Sequence, residues 1–285
     1  MRIAFFLFLS LMALPTTAQQ EAIDFESAVE QKMIDITATG RIDSPHYYQP
    51  LSLTVINLRD TPLKLKLNAG QIFNSKDPDL QDIIVTKDEM IVLEAGQSIN
   101  TPLFGMCIQE FNGAPGDGDG YALGKKAEGN LATLVQRIQK EKSFGIAAQQ
   151  AIWALTDGRS PEDIASVDLS ETNNARDMVL DLVSSEEVTF QGETFRPEPE
   201  NKLIKRQMDG NFKYRIANAS TVTIGLFNEQ NIVVRELFNE KDVAAGQHKF
   251  EYSIDEMIDP TKHYYVRLII DGEIKINFEM KPRRS

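Results

Sequence analysis

The sequence predicts a mainly β protein with a helical subdomain: an N-terminal antiparallel β-sandwich, a small α-helical segment, and a second β-sandwich at the C-terminus. Three observations carry this. Apolar residues alternate with polar ones over short runs up to about residue 111, the period of strands with one wet face. The spacing then lengthens to the helical period between residues 131 and 182. Alternation returns after residue 209 and closes on a two-residue turn, Asp271-Gly272.

Taken in order, "MRIAFFLFLSLMALPTTAQQ" has one positive charge at Arg2, an apolar run from Ile3 to Leu14, and small residues Thr16 and Ala18 before Gln19. That is the pattern of a secretory signal peptide over residues 1–18. The run is shorter than the roughly 20 apolar residues of a spanning helix, and no later segment approaches that length, so no transmembrane segment is expected. The expected location is extracytoplasmic: periplasm, outer-membrane surface or secreted.

Residues 19–111 read as the first sandwich, of the immunoglobulin-like kind. "IDITATG" and "LSLTVIN" are β runs, and "PLKLKL" sets Leu63, Leu65 and Leu67 on one face and Lys64 and Lys66 on the other. "DIIVT", "EMIVL" and "TPLFGMCIQ" continue at short spacing between turn signals. The cluster "NGAPGDGDGY" marks a boundary or functional loop; Asp117 and Asp119 supply oxygens there, but the late bidentate carboxylate of a calcium loop is missing.

Residues 112–185 read as a helical subdomain packed on the first sandwich. Leu131, Leu134, Val135 and Ile138 share one helical face. "GIAAQQAIWALTDG" is a second, more apolar helix with Gly158 as its stop. Ser160, Pro161, Glu162 and Asp163 form a helix start signal, and Ala175, Met178, Val179 and Leu182 line a last helix. Residues 186–208 are polar, with "FRPEPENK", and read as a stiff linker. Residues 209–285 form the second sandwich.

Composition narrows function. Forty-two acidic against thirty basic residues leave a net charge of −12, which argues against nucleic acid, whose phosphates need a clustered basic face. Cys107 is the only cysteine, so no intramolecular disulfide exists and stability must come from packed cores. His46, His248 and His263 share no ligand spacing, and there is no His-x-x-x-His or Cys-x-x-Cys, so no metal site is expected. A Gly-x-Ser-x-Gly elbow, a Walker loop and a dinucleotide fingerprint are all lacking, and no cofactor is implied. Cys107 lies in a strand-like stretch, away from the helix N-terminus that usually activates a cysteine nucleophile.

Two stretches carry resemblances. "VTIGLFNEQNIVVRELF", "AAGQHKF" and "YYVRLIIDGE" resemble the Ig-like repeat of the flagellar hook-capping family, which implies an Ig-like fold and no chemistry. The same pattern is similar to the C-terminal sorting domain of type IX secretion cargo, although the Asn-Pro opening is absent and the tail is "KPRRS". "AQQAIWALTDG", with "MCI" upstream, resembles the thioester domains of bacterial surface adhesins. That resemblance makes Gln149 the acyl partner and Cys107 the thiol, with Trp153 in the "AIW" triplet. Three features depart from the family: Ala148 stands where Thr is common, the separation of 149 − 107 = 42 residues is short, and a β-sandwich precedes the cysteine.

The residues themselves also allow a packing role, in which the alanines let the helix approach the sheet, Ile152 and Trp153 bury, and the glutamines face solvent or cap a strand edge. The expectation is a secreted or cell-envelope binding protein, non-catalytic, with a protein or glycan ligand at the cell surface. The alternative is a covalent adhesin with a Cys107–Gln149 thioester.

Overall fold

A computed structural model of the chain describes residues 21–183 and 204–280. The expected signal peptide at 1–18, residues 186–203 of the expected linker and the tail beyond Met280 lie outside the described residues.

The protein is mainly β, with a helical segment between two groups of sheets. In chain order the first group comprises β1 (Ile23–Asp24), α1 (Phe25–Glu30), β2 (Ile34–Gly40), β3 (Leu51–Asn57), β4 (Leu63–Leu67), β5 (Gln71–Ser75) and β6 (Ile83–Val85). It continues with β7 (Glu89–Leu93), β8 (Ser98–Leu103), β9 (Gly105–Cys107) and β10 (Gly120–Lys126). These strands make a three-stranded sheet, β1-β4-β7, and a seven-stranded sheet, β8-β3-β2-β10-β5-β6-β9. Alternation sets what is inside. Leu51, Leu53 and Val55 on β3 and Leu63, Leu65 and Leu67 on β4 are buried in one core, while Lys64 and Lys66 on the other face are only partly buried, Lys66 pairing with Asp88 at 2.8 Å.

Three features depart from the sequence expectation. Helix α1 grows out of the charged leader, where Asp24 Oδ2 accepts from the Ser27 N–H at 3.4 Å and Phe25 and Ala28 bury. Six residues are too few to display a helical period. Second, β10 opens the segment read as helical, yet it is a central strand paired with both β2 and β5, so the first sandwich extends past residue 111. Only Tyr121 of β10 is fully buried, which left no alternation to read. Third, "TPLFGMCIQ" breaks at Phe104. Strands β8 and β9 are separated by that single residue but lie at opposite edges of the sheet, which is therefore curled toward a barrel. Gly105 lets β9 lie close against β6, since a Cβ there would sit 2.7 Å from Ile83 Cγ2.

Helices α2 (Gly129–Glu141), α3 (Ile146–Thr156) and α4 (Leu169–Val183) follow. The faces read from periodicity bury: Leu134, Val135 and Ile138 on α2, and Ala175, Met178, Val179 and Leu182 on α4. Helix α3 is buried from Ile146 to Ala154, as an apolar-all-round helix must be, and packs against α2, α4 and β9. It stops at Asp157, followed by Gly158 at φ +69°. Ser160 does cap its start signal, but only a 3-10 turn forms at Pro161–Asp163. The chain turns extended at Ile164, whose side chain is completely buried in the core.

The C-terminal group comprises β11 (Ile204–Ile216), β12 (Ser220–Asn228), β13 (Val233–Val243), β14 (Gly246–Ile258), β15 (Tyr264–Ile270) and β16 (Glu273–Met280). A two-stranded ribbon, β11-β14, faces a four-stranded sheet, β13-β12-β15-β16, over a core that includes Val222, Ile224, Leu226, Val266 and Leu268. Strand β11 begins at Ile204, inside the stretch read as linker. Asp271 and Gly272, at φ +50° and +79°, make the expected two-residue turn between β15 and β16.

The loop at 41–50 ties the two groups together. The Ile274 N–H donates to the Asp43 carbonyl at 2.8 Å, and the Val233 N–H donates to His46 Nε2 at 3.1 Å. One apolar cluster runs across the joint, with Tyr47, Ile84 and Met106 from the first part and Phe227, Val233 and Ile269 from the second.

Candidate functional site

Cys107, Gln149 and Trp153 meet in one buried place. Gln149 and Trp153 are four residues apart on α3 and so share a face, which the small residues Ala147, Ala148 and Ala151 let close on the sheet. Strand β9 is an edge strand, paired only with β6, so the outer side of Cys107 has a peptide N–H and C=O to satisfy. The Gln149 carboxamide does so: Oε1 accepts from the Cys107 N–H at 2.9 Å, and Nε2 donates to the Cys107 carbonyl at 2.7 Å. One side chain thus takes the place of a further strand.

The thiol goes the other way. Cys107 Sγ donates to the His46 carbonyl at 3.8 Å. The His46 ring stacks on the Trp153 indole with centroids 5.6 Å apart and planes 18° apart. The indole Nε1–H donates to Gln81 Oε1 at 3.3 Å, and Gln81, also fully buried, holds the Asn112 carbonyl through Nε2 at 2.9 Å. Because His46 Nε2 accepts from a peptide N–H, the ring proton belongs on Nδ1, which is buried without a hydrogen-bond partner.

The electrostatics follow from burial. Removal from water lowers the His46 pKa to about 3, opposed by the nearby Gln149 carboxamide and reinforced by Arg267. The same cause pushes the Cys107 thiol well above its ordinary range. At neutral pH the cluster is therefore a thiol, a neutral imidazole, a carboxamide and an indole, with no formal charge among them. The one acceptor nitrogen of His46 is occupied by a peptide, so it is not placed to draw the thiol proton.

The two adjacent glutamines have separate tasks. Gln150 Oε1 accepts from the Ala165 N–H at 2.6 Å and so fastens the chain that leaves the 3-10 turn. Both belong to the packing of α3, one toward the sheet and one toward the loop before α4.

Sequence reasoning missed His46 and Gln81 as members of the cluster. The available signal was "PHYYQP", an imidazole and two phenols between prolines in a loop joining two apolar strands. Such a stretch is too aromatic for a solvated turn. The other histidines lie away from the cluster: His248 meets the Ala244 carbonyl, and His263 pairs with Glu279 at 2.7 Å. Asp119 closes a turn by accepting from the Gly116 N–H at 2.6 Å. Among the described residues no group of three or more His, Cys, Asp or Glu side chains is placed to hold a metal ion. No helix among them is long and apolar enough to cross a membrane.

No protein-family model matches the chain, and no curated protein matches it at a significant level.

Proposed function

We propose that the protein is a secreted or cell-envelope interaction protein, non-catalytic, that takes a protein or glycan ligand at the cell surface. One observation carries the non-catalytic part: the only cysteine is completely buried, its thiol is held protonated by burial, and its hydrogen bond goes to a carbonyl rather than to a base. A thiol nucleophile works as its thiolate, in an electropositive and partly open setting, and this one has neither. In this reading Gln149 closes the sheet edge and Trp153 anchors α3. The C-terminal sandwich is an Ig-like spacer, docking or sorting module. Export rests on the leader sequence.

A covalent adhesin is the second reading, and the Gln149 placement favours it over any other chemistry. The carboxamide sits on the peptide of the residue whose thiol would attack it. Sγ would add to the Gln149 carbonyl carbon, the C–N bond would break, and ammonia would leave with the thiol proton. Intact-mass measurement of the purified chain separates the two. Full mass, with one thiol alkylated only after denaturation, supports the non-catalytic reading. Loss of one ammonia, restored to full mass in Cys107→Ala, establishes the thioester instead.

A further inference from the structure

The joint between the two halves holds a cavity of about 210 Å³ that the Cys107 cluster does not use. Its floor is Tyr47, Ile269 and Glu236, all buried, and Tyr48 and Phe144 stand beside them as half-exposed aromatic walls. Glu236 is the only formal charge on that floor. It sits on β13 and is 7% exposed, with Oε2 accepting from the Val167 N–H at 3.0 Å and the Asn239 side chain donating to the carboxylate as well. Both donors are uncharged. A carboxylate has about four acceptor positions, so two neutral donors leave part of it turned to the cavity.

The surrounding charges do not compensate it. Lys241, at the rim, is drawn to Glu171 at 2.7 Å, and Lys142 is exposed to solvent at the cavity mouth. Glu171 and Asp168 add negative potential around Glu236. Among the described residues Glu236 forms no ion pair. Burial of an unpaired carboxylate costs free energy unless a cation or a proton joins it.

We propose that this cavity binds a small organic amine, its ammonium on the Glu236 carboxylate and its carbon body between the Tyr47, Tyr48 and Phe144 rings. Aromatic rings beside a carboxylate suit a cation through both charge and ring quadrupole. The volume lies below the roughly 300–1,000 Å³ of drug-sized sites and limits the ligand to a small molecule. The site requires both halves of the protein: Tyr47, Tyr48 and Phe144 come from the first, Glu236 and Ile269 from the second. It is independent of whether Cys107 and Gln149 form a thioester.

Calorimetric titration of the full mature chain tests this with phenethylamine, ethanolamine and putrescine, each beside its uncharged counterpart 2-phenylethanol, ethylene glycol or 1,4-butanediol. At least one amine should bind saturably, one per chain and at least tenfold more tightly than its counterpart. Glu236→Gln, nearly isosteric and still able to accept from Val167, should weaken that amine at least tenfold. Thr223→Phe, which fills the cavity from β12, should do the same. Absence of saturable binding by all three amines, equal binding of amine and alcohol, or undiminished binding in Glu236→Gln would overturn the proposal.

Discussion

Gln149 lies against Cys107 as a carboxamide against a peptide group, accepting from its N–H at 2.9 Å and donating to its C=O at 2.7 Å. The pair is completely buried, so each bond stands in for water that cannot reach the strand edge.

Truncating that carboxamide orphans two buried peptide groups. Gln149→Ala should lower unfolding free energy by about 3 kcal/mol, at about 1–3 kcal/mol for each unsatisfied group. Gln149→Glu makes a sharper test. Its protonated form keeps one donor and one acceptor, whereas its ionised form sets a buried charge against the Cys107 carbonyl. It should track the wild type at pH 4 and fall at least as far as Gln149→Ala at pH 8, in urea denaturation compared pH by pH.

His46 should make part of the stability pH-dependent. Its folded pKa of about 3 lies below the ordinary value of 6.5, so in this range the unfolded chain binds the extra proton. The neutral imidazole's contribution is whole above pH 6.5 and is lost as pH falls toward 3. The penalty of His46→Gln relative to wild type should therefore shrink by about 1.4 kcal/mol per pH unit over that window. A penalty constant from pH 7.5 to 4.5 would remove the argument.

Glu236 runs in the opposite sense. Burial raises its pKa to about 7 from 4.5, so here the folded chain binds the extra proton. Its stabilising contribution is whole below pH 4.5 and is lost as pH rises through 7. Glu236→Gln should consequently gain on the wild type over this range, by about 3 kcal/mol at pH 8. Between pH 4.5 and 6.5 the two residues oppose each other, so single variants are needed to see either.

The hairpin turn locks the two halves. A Cβ on Gly272 would sit 2.0 Å from Tyr48 Cε1, and the φ of +79° disfavours a side chain in any case. Gly272→Ala should cost about 1–2 kcal/mol for the left-handed backbone alone, plus the clash. In a double-mutant cycle Tyr48→Ala should relieve the clash and leave the backbone cost. Additive single effects would show that Tyr48 does not seat on the turn.

Much of this architecture is written in local pattern. The leucines of β3 and β4, the buried faces of α2 and α4, the Gly158 stop and the Asp271-Gly272 turn each rest on a few neighbouring residues, and periodicity or turn chemistry declares them. Strand β10 escaped because Tyr121 is its only buried residue, and helix α1 because six residues are too few to show a period. Gln149, Cys107 and Trp153 could be singled out by residue type and spacing. That Gln149 meets the peptide rather than the thiol could not, because it depends on β9 being the edge of a curled sheet. The places of His46 beside Val233 and of Glu236 in the joint were equally hidden. Those contacts span 187 and 69 residues of chain and exist only once the two halves pack together, where exclusion of water fixes the charge state of each group.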